Sequence, residues 1–141
     1  MTQTRELLFV YGSLRRAAGS AEADMLAAGA DHLGPATARG KLYRIDWYPG
    51  MIASGDPADR VTGDLFSVRD PALWPKLDAY EGCGPADPVP QEYRRARIQV
   101  EAAEGSAEAW AYLYAWDVAG CIEIPGGDFL APPEPPRADG R

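Results

Sequence analysis

Two short segments hold the residue types able to do chemistry. Residues 7–14 (LLFVYGSL) run from an uninterrupted apolar stretch into Tyr11, Gly12, Ser13 and Leu14. Gly12 supplies the backbone freedom for a sharp turn. Such a turn leaves N–H groups pointing outward, which suits a carboxylate or another anion, although the same residues also fit an ordinary strand-ending turn. Residues 77–82 (LDAYEG) place Glu81 at the end of a short apolar helix. There it faces the negative end of the helix dipole, and walls made by Trp74 and Tyr80 would raise its pKa into the range of a proton shuttle. Asp78, one turn back, is the competing carboxylate, and a plain solvated glutamate is the commoner occupant of a helix end.

Other chemistries lack their parts. Ser13 has no flanking glycine pattern of a nucleophile elbow, and His32, in DHLG, is the one histidine available as a base. On the approach to a strand it reads as a surface residue. A zinc site needs three or four good ligands, and Cys83 and Cys121 have neither metal spacing nor a neighbouring histidine, so no metal or cofactor is expected. Phosphate-loop and dinucleotide fingerprints are missing. The segment Gly126, Gly127, Asp128, Phe129 reads as a tight turn.

Composition narrows the partners. A chain of 141 residues is long enough to bury one core, and 46% apolar residues argue for a folded globule. The 13 prolines and 15 glycines imply many turns and little helix, tilting the class toward sheet-rich α+β. A formal charge of −7 disfavours nucleic acid and anionic membranes, because phosphate binding draws on clustered Lys and Arg. Arg15 with Arg16, and Arg94, Arg95 and Arg97, read as small solvated patches. Two cysteines, too few for a disulfide framework, and a polar N-terminus fit a cytoplasmic protein, and a monomer is the default.

The elements that must position the two segments follow from pattern. A strand over residues 7–10 precedes a short, weakly amphipathic helix over 21–27, capped by Ser20 and ending near Gly29. Strands are predicted at 37–47, 51–54 and 61–68. Leu73, Trp74, Leu77 and Tyr80 fall at helical spacing, but Pro75 within them points to a turn followed by a helix over 75–80, stopped by Gly82. Residues 83–91, with three prolines, form an irregular loop suited to a pocket rim. Residues 93–100 and 107–116 alternate and make a hairpin. One domain over 1–130 and a mobile proline-rich tail over 131–141 complete the layout.

With these segments in order, the chain resembles the γ-glutamylcyclotransferase-like superfamily, in its small bacterial and plant avirulence-induced forms. FVYGSL at 9–14, GKLYRIDWYPG at 40–50, VTGDLF at 61–66, LDAYEG at 77–82, EYRR at 92–95, AWAYLY at 109–114 and IPGGDF at 124–129 carry the likeness, which covers about residues 6–130. YGSL and YEG in this order are the more specific part. Leu14 stands where the animal glutathione-pathway members tend to have asparagine, and Phe129 where tryptophan is common. The resemblance implies a mixed β-barrel-like sheet with short flanking helices. It implies further that Tyr11, Gly12, Ser13 and Leu14 line a cavity holding the family glutamate, onto which Glu81 falls, with Tyr93 on a pocket-lining tyrosine.

The activity so implied is cyclisation of a γ-glutamyl amide to 5-oxoproline with release of an amine or amino acid. The substrate's own amine attacks, so no protein nucleophile is required, and proximity supplies up to about 7–11 kcal/mol. Glu81 would carry the proton and the turn would hold oxygen through its N–H groups. A non-catalytic protein that binds a small γ-glutamyl-like metabolite is the alternative, since a fold can be reused without its activity. A cyclotransferase for γ-glutamylamines, or for a γ-glutamyl protecting group, is a second enzymatic form.

Overall fold

The computed structural model describes residues 6–11, 21–45, 49–81, 83, 89–103, 105–124 and 127. Its elements run β1 (Glu6–Val10), α1 (Ala21–Gly29), β2 (Ala30–Arg44), β3 (Pro49–Ala53), β4 (Arg60–Val68), α2 (Leu73–Tyr80), β5 (Tyr93–Ala102), β6 (Gly105–Tyr114) and β7 (Ile122–Glu123). The capping Ser20, the stop at Gly82, most of the 83–91 loop and the tail at 131–141 lie outside the described residues.

Strand pairing closes a mixed barrel. β2 pairs with β4, β4 with β1, β1 with β6, β6 with β5, and β5 returns to β2; all of these pairs are antiparallel except β1–β6. β3 and β7 extend the sheet from the far part of β2. The expected α+β class with a β-barrel-like sheet and short flanking helices is the observed one.

Alternation along each strand separates two cores. The inward set comprises Phe9, Tyr11, Ala36, Ala38, Val61, Leu65, Val100, Ala109, Ala111 and Leu113. A five-stranded barrel has a narrow interior, so alanines and Gly63 must stand opposite the few large side chains. The outward set on β1, β4 and β6, including Leu8, Val10, Phe66 and Tyr112, is covered by Leu26 of α1 and by Leu73 and Leu77 of α2. Each fully buried leucine there contributes about 1.5–3 kcal/mol.

The starts of β2 and α2 differ from those the pattern predicts for reasons the structure shows. β2 begins at Ala30, seven residues before the predicted start, because a bulge carries the strand through the Gly34–Pro35 interruption. His32 opposes Phe66 and Gly34 opposes Leu65, so Leu33 is the extra residue and stands exposed. His32 is accordingly a strand residue, edge-on to Phe66 and 3.4 Å from the Asp64 carboxylate. α2 begins at Leu73, with Pro75 at its third position. The first helical N–H groups have no partner within the helix, so proline costs no hydrogen bond there. Asp70 holds the entry, its side chain accepting from the Ala72 N–H at 3.0 Å and its carbonyl from the Leu73 N–H at 3.0 Å. Among the described residues no helix is long and apolar enough to cross a membrane.

Of the described glycines within strands, Gly63 has the least room: a Cβ there would lie 2.1 Å from the Val10 carbonyl oxygen and under 3 Å from the Phe9 ring. Gly63→Ala is therefore expected to destabilise the fold by about 1–3 kcal/mol in denaturant unfolding. Gly55→Ala, with nothing within 4 Å, should lie within about 0.5 kcal/mol of the parent.

Candidate functional site

Tyr11 follows the last residue of β1 and keeps the inward direction of Phe9, so its ring packs at one mouth of the barrel. Its hydroxyl donates to the Tyr112 carbonyl at 2.5 Å and accepts from the Met51 N–H at 3.2 Å. Those two bonds join β1 to β6 and β3. Burial pushes the Tyr11 pKa well above the usual tyrosine range, and the charge of Glu81 pushes it further. Tyr11 and Glu81, seventy positions apart in sequence, are thus within electrostatic reach of each other. Gly12, Ser13 and Leu14, the rest of the expected oxygen-holding turn, lie outside the described residues.

Glu81 is placed by the way α2 ends. Its N–H bonds the Leu77 carbonyl at 2.9 Å, and the Cys83 N–H bonds the Asp78 carbonyl at 2.9 Å, the six-to-one bond of a Schellman stop. Glu81 is half-buried, and its pKa rises from 4.5 to about 7. Burial is the larger cause and the negative charge of Glu92 the second. The expected direction and its expected cause, burial, are found, and the Glu92 charge adds to them. Trp74 packs edge-on against Trp110 at 6.4 Å, Tyr80 is exposed, and it is Glu92, just before β5, whose charge is felt.

Asp78 has another role. Its carboxylate takes the Arg95 guanidinium at 3.1 and 3.3 Å and the Tyr112 hydroxyl at 2.7 Å. Both oxygens are engaged, which leaves Glu81 as the carboxyl of α2 suited to proton transfer. Tyr93 sits on β5 with its hydroxyl donating to the Pro49 carbonyl at 2.6 Å and its ring edge-on to Tyr114 at 5.3 Å. The Tyr114 pKa rises through burial, the Glu92 charge and a hydrogen bond to Glu92. Tyr11, Glu81, Glu92 and Tyr114 are thereby linked, Tyr11 through Glu81 and Tyr114 through Glu92.

Among the described residues no three His, Cys, Asp or Glu side chains are grouped to hold a metal ion. A cavity of about 120 Å³ opens elsewhere, between Lys41 of β2, Asp59, Arg60 and Glu123, and none of the residues above lines it.

The model of the gamma-glutamyl cyclotransferase, AIG2-like family matches residues 8–131. The chain belongs to that family. Among solved structures, YtfP of Escherichia coli is 30% identical with a TM-score of 0.60, the match covering 88% of this chain and 96% of that one. An AIG2-like protein of Mus musculus is 22% identical with a TM-score of 0.63, covering 94% and 99%, and shares the fold. YkqA of Bacillus subtilis is 23% identical with a TM-score of 0.67, and this chain, covered over 89% of its length, spans 39% of that longer one. A search of curated protein sequences found no match.

Within this AIG2-like fold, sequence reasoning missed Glu92 and the Asp78–Arg95–Tyr112 cluster. The signal for the second was present, because Arg95 and Tyr112 stand directly opposite each other in the hairpin register. Glu92 carried none, since its proximity to Glu81 arises only when β5 is laid against the end of α2.

The raised Glu81 pKa has a sign for stability. The folded state holds the proton more tightly than the unfolded chain, so stability falls as pH rises from about 4.5 through about 7. Glu81→Gln removes that dependence. Its melting temperature relative to the parent should rise between about pH 5 and about pH 8, and parallel curves in thermal unfolding would contradict the burial of this carboxyl.

Proposed function

We propose that the protein is a γ-glutamyl cyclotransferase in which Glu81 carries the proton. The single observation that supports this reading is a carboxyl held near pKa 7 at the barrel mouth, beside the end of the β1 strand. A base with that pKa is substantially ionised at neutral pH and still a usable acid once protonated.

In this reading the ionised Glu81 takes a proton from the α-ammonium of a γ-glutamyl amide. The freed amine attacks its own γ-carbonyl carbon, a C–N bond forms, and negative charge develops on the carbonyl oxygen. Gly12, Ser13 and Leu14, which follow Tyr11 in the chain, are assigned that oxygen. Glu81 then returns that proton to the leaving nitrogen as the original amide bond breaks and the carbonyl re-forms, and the second proton shed by the attacking nitrogen goes to the released amine, giving 5-oxoproline and the amine or amino acid as its ammonium form. Holding the chain in a ring-closing pose supplies most of the rate, up to about 7–11 kcal/mol, so one acid–base group suffices. Tyr11 and Tyr93 enter as walls, because both hydroxyls are already spent on main-chain partners.

Incubation with a panel of γ-glutamyl amines and peptides should release 5-oxoproline, with kcat/KM rising as pH passes about 7, the sign required of a base. Glu81→Gln should lower turnover by about 10²–10⁴-fold while substrate still raises its melting temperature. Retained turnover in that variant rules out Glu81. Thermal shifts without product from any panel member would instead favour a protein that binds γ-glutamyl-like metabolites.

A further inference from the structure

The chemistry assigned to Glu81 depends on where α2 ends, and one residue touches both halves of the site. Tyr112 lies on β6, two residues beyond the point where β1 pairs with that strand, at Leu8 opposite Trp110. Its carbonyl accepts the Tyr11 hydroxyl and its own hydroxyl donates to Asp78. The main chain of Tyr112 therefore holds the end of β1, and its side chain holds α2 one turn before Glu81.

Asp78 passes the restraint on. Its carboxylate is gripped by both arms of the Arg95 fork, and its main-chain carbonyl takes the Cys83 N–H, so the chain is fixed on either side of Glu81. Arg95 is in turn immobilised, its guanidinium lying 4.7 Å from the centre of the Trp74 ring and 5.0 Å from that of Trp110. Trp74 belongs to the first turn of α2 and Asp78 to its last, so Arg95 grips the helix near both ends. Leu73 and Leu77 press α2 against the sheet, but apolar contact is non-directional and does not fix its rotation or slide. The bidentate ion pair and the Tyr112 bond are directional and do.

We propose that Tyr112, Asp78 and Arg95 form a positioning unit that sets the place of Glu81 relative to Tyr11, with Tyr112 tying the two halves of the site together. This rests on the acid–base reading of Glu81, and none of the three touches the reacting atoms. Glu81 itself faces Tyr11 and the charge of Glu92, whereas Asp78 faces Arg95 and Tyr112, with Cys83 near the Tyr112 hydroxyl.

Tyr112→Phe keeps the ring and the carbonyl that holds Tyr11, and removes only the bond to α2. Its kcat for 5-oxoproline release should fall by about 10–100-fold, the scale of a misplacement near 1 Å. KM should stay within about twofold, because no substrate contact is lost. Arg95→Met, which retains the apolar stem, should act alike, Arg95→Lys should recover part of the loss, and the Tyr112→Phe/Arg95→Met pair should be no slower than about the slower single variant. Carbon-13 titration of the Glu81 carboxyl, assigned by its absence in Glu81→Gln, gives a readout independent of turnover. Its pKa should fall from about 7 in both single variants as the loosened helix end admits water. An unchanged titration in folded Tyr112→Phe and Arg95→Met overturns the positioning unit, and so do multiplicative losses in the double variant. A parent protein that makes no 5-oxoproline overturns the cyclotransferase reading alone, and the titration still decides the positioning unit.

Discussion

Closure of the barrel through β2 is the constraint on which the rest of the structure depends. This strand of fifteen residues pairs with β4 along its first part, with β5 near its middle, and with β3 and β7 toward its end. Among the described residues no other strand pairs with so many partners. The closed ring leaves few unpaired edges, and its bore is too narrow for large side chains on every strand. Ala36, Ala38, Gly63, Ala109 and Ala111 are the residues that let Phe9 and Leu65 fit.

A filled bore leaves the rim as the place for the proposed chemistry. β1 ends where Tyr11 spends its hydroxyl on main-chain groups of β6 and β3, and α2 ends beside it with Glu81. The two carboxylates of α2, Asp78 and Glu81, meet opposite environments three residues apart. One meets a guanidinium and a hydroxyl, the other meets low polarity and a second carboxylate. The different roles proposed for them follow from which way each points, not from residue type.

The sequence carried the strand alternation, the α+β class and the family likeness, because period-two burial and the YGSL and YEG segments are local properties. It also carried the upward direction of the Glu81 pKa. The start of β2 was hidden by Gly34 and Pro35, which locally mark a break and which a bulge absorbs only when β4 is alongside. Pro75 misled in the same way, since its cost depends on a helix start fixed by the Asp70 turn. His32 read as a surface approach residue for the want of Phe66 and Asp64, which the sheet brings to it. Glu92 is a product of tertiary placement that no short-range pattern encodes, whereas the Asp78–Arg95–Tyr112 cluster was half visible in the hairpin register that sets Arg95 opposite Tyr112.

The position of β1 has a consequence for how the chain reaches this structure. The first strand made is an inner stave of the barrel, antiparallel to β4 on one side and parallel to β6 on the other, and its partners come much later in the chain. Contacts of such sequence separation cost loop entropy before they return any stabilisation, so folding is slowed by topology. Until β6 has been synthesised, the apolar LLFV stretch keeps an open strand edge, and that nascent intermediate is the form most exposed to misassociation.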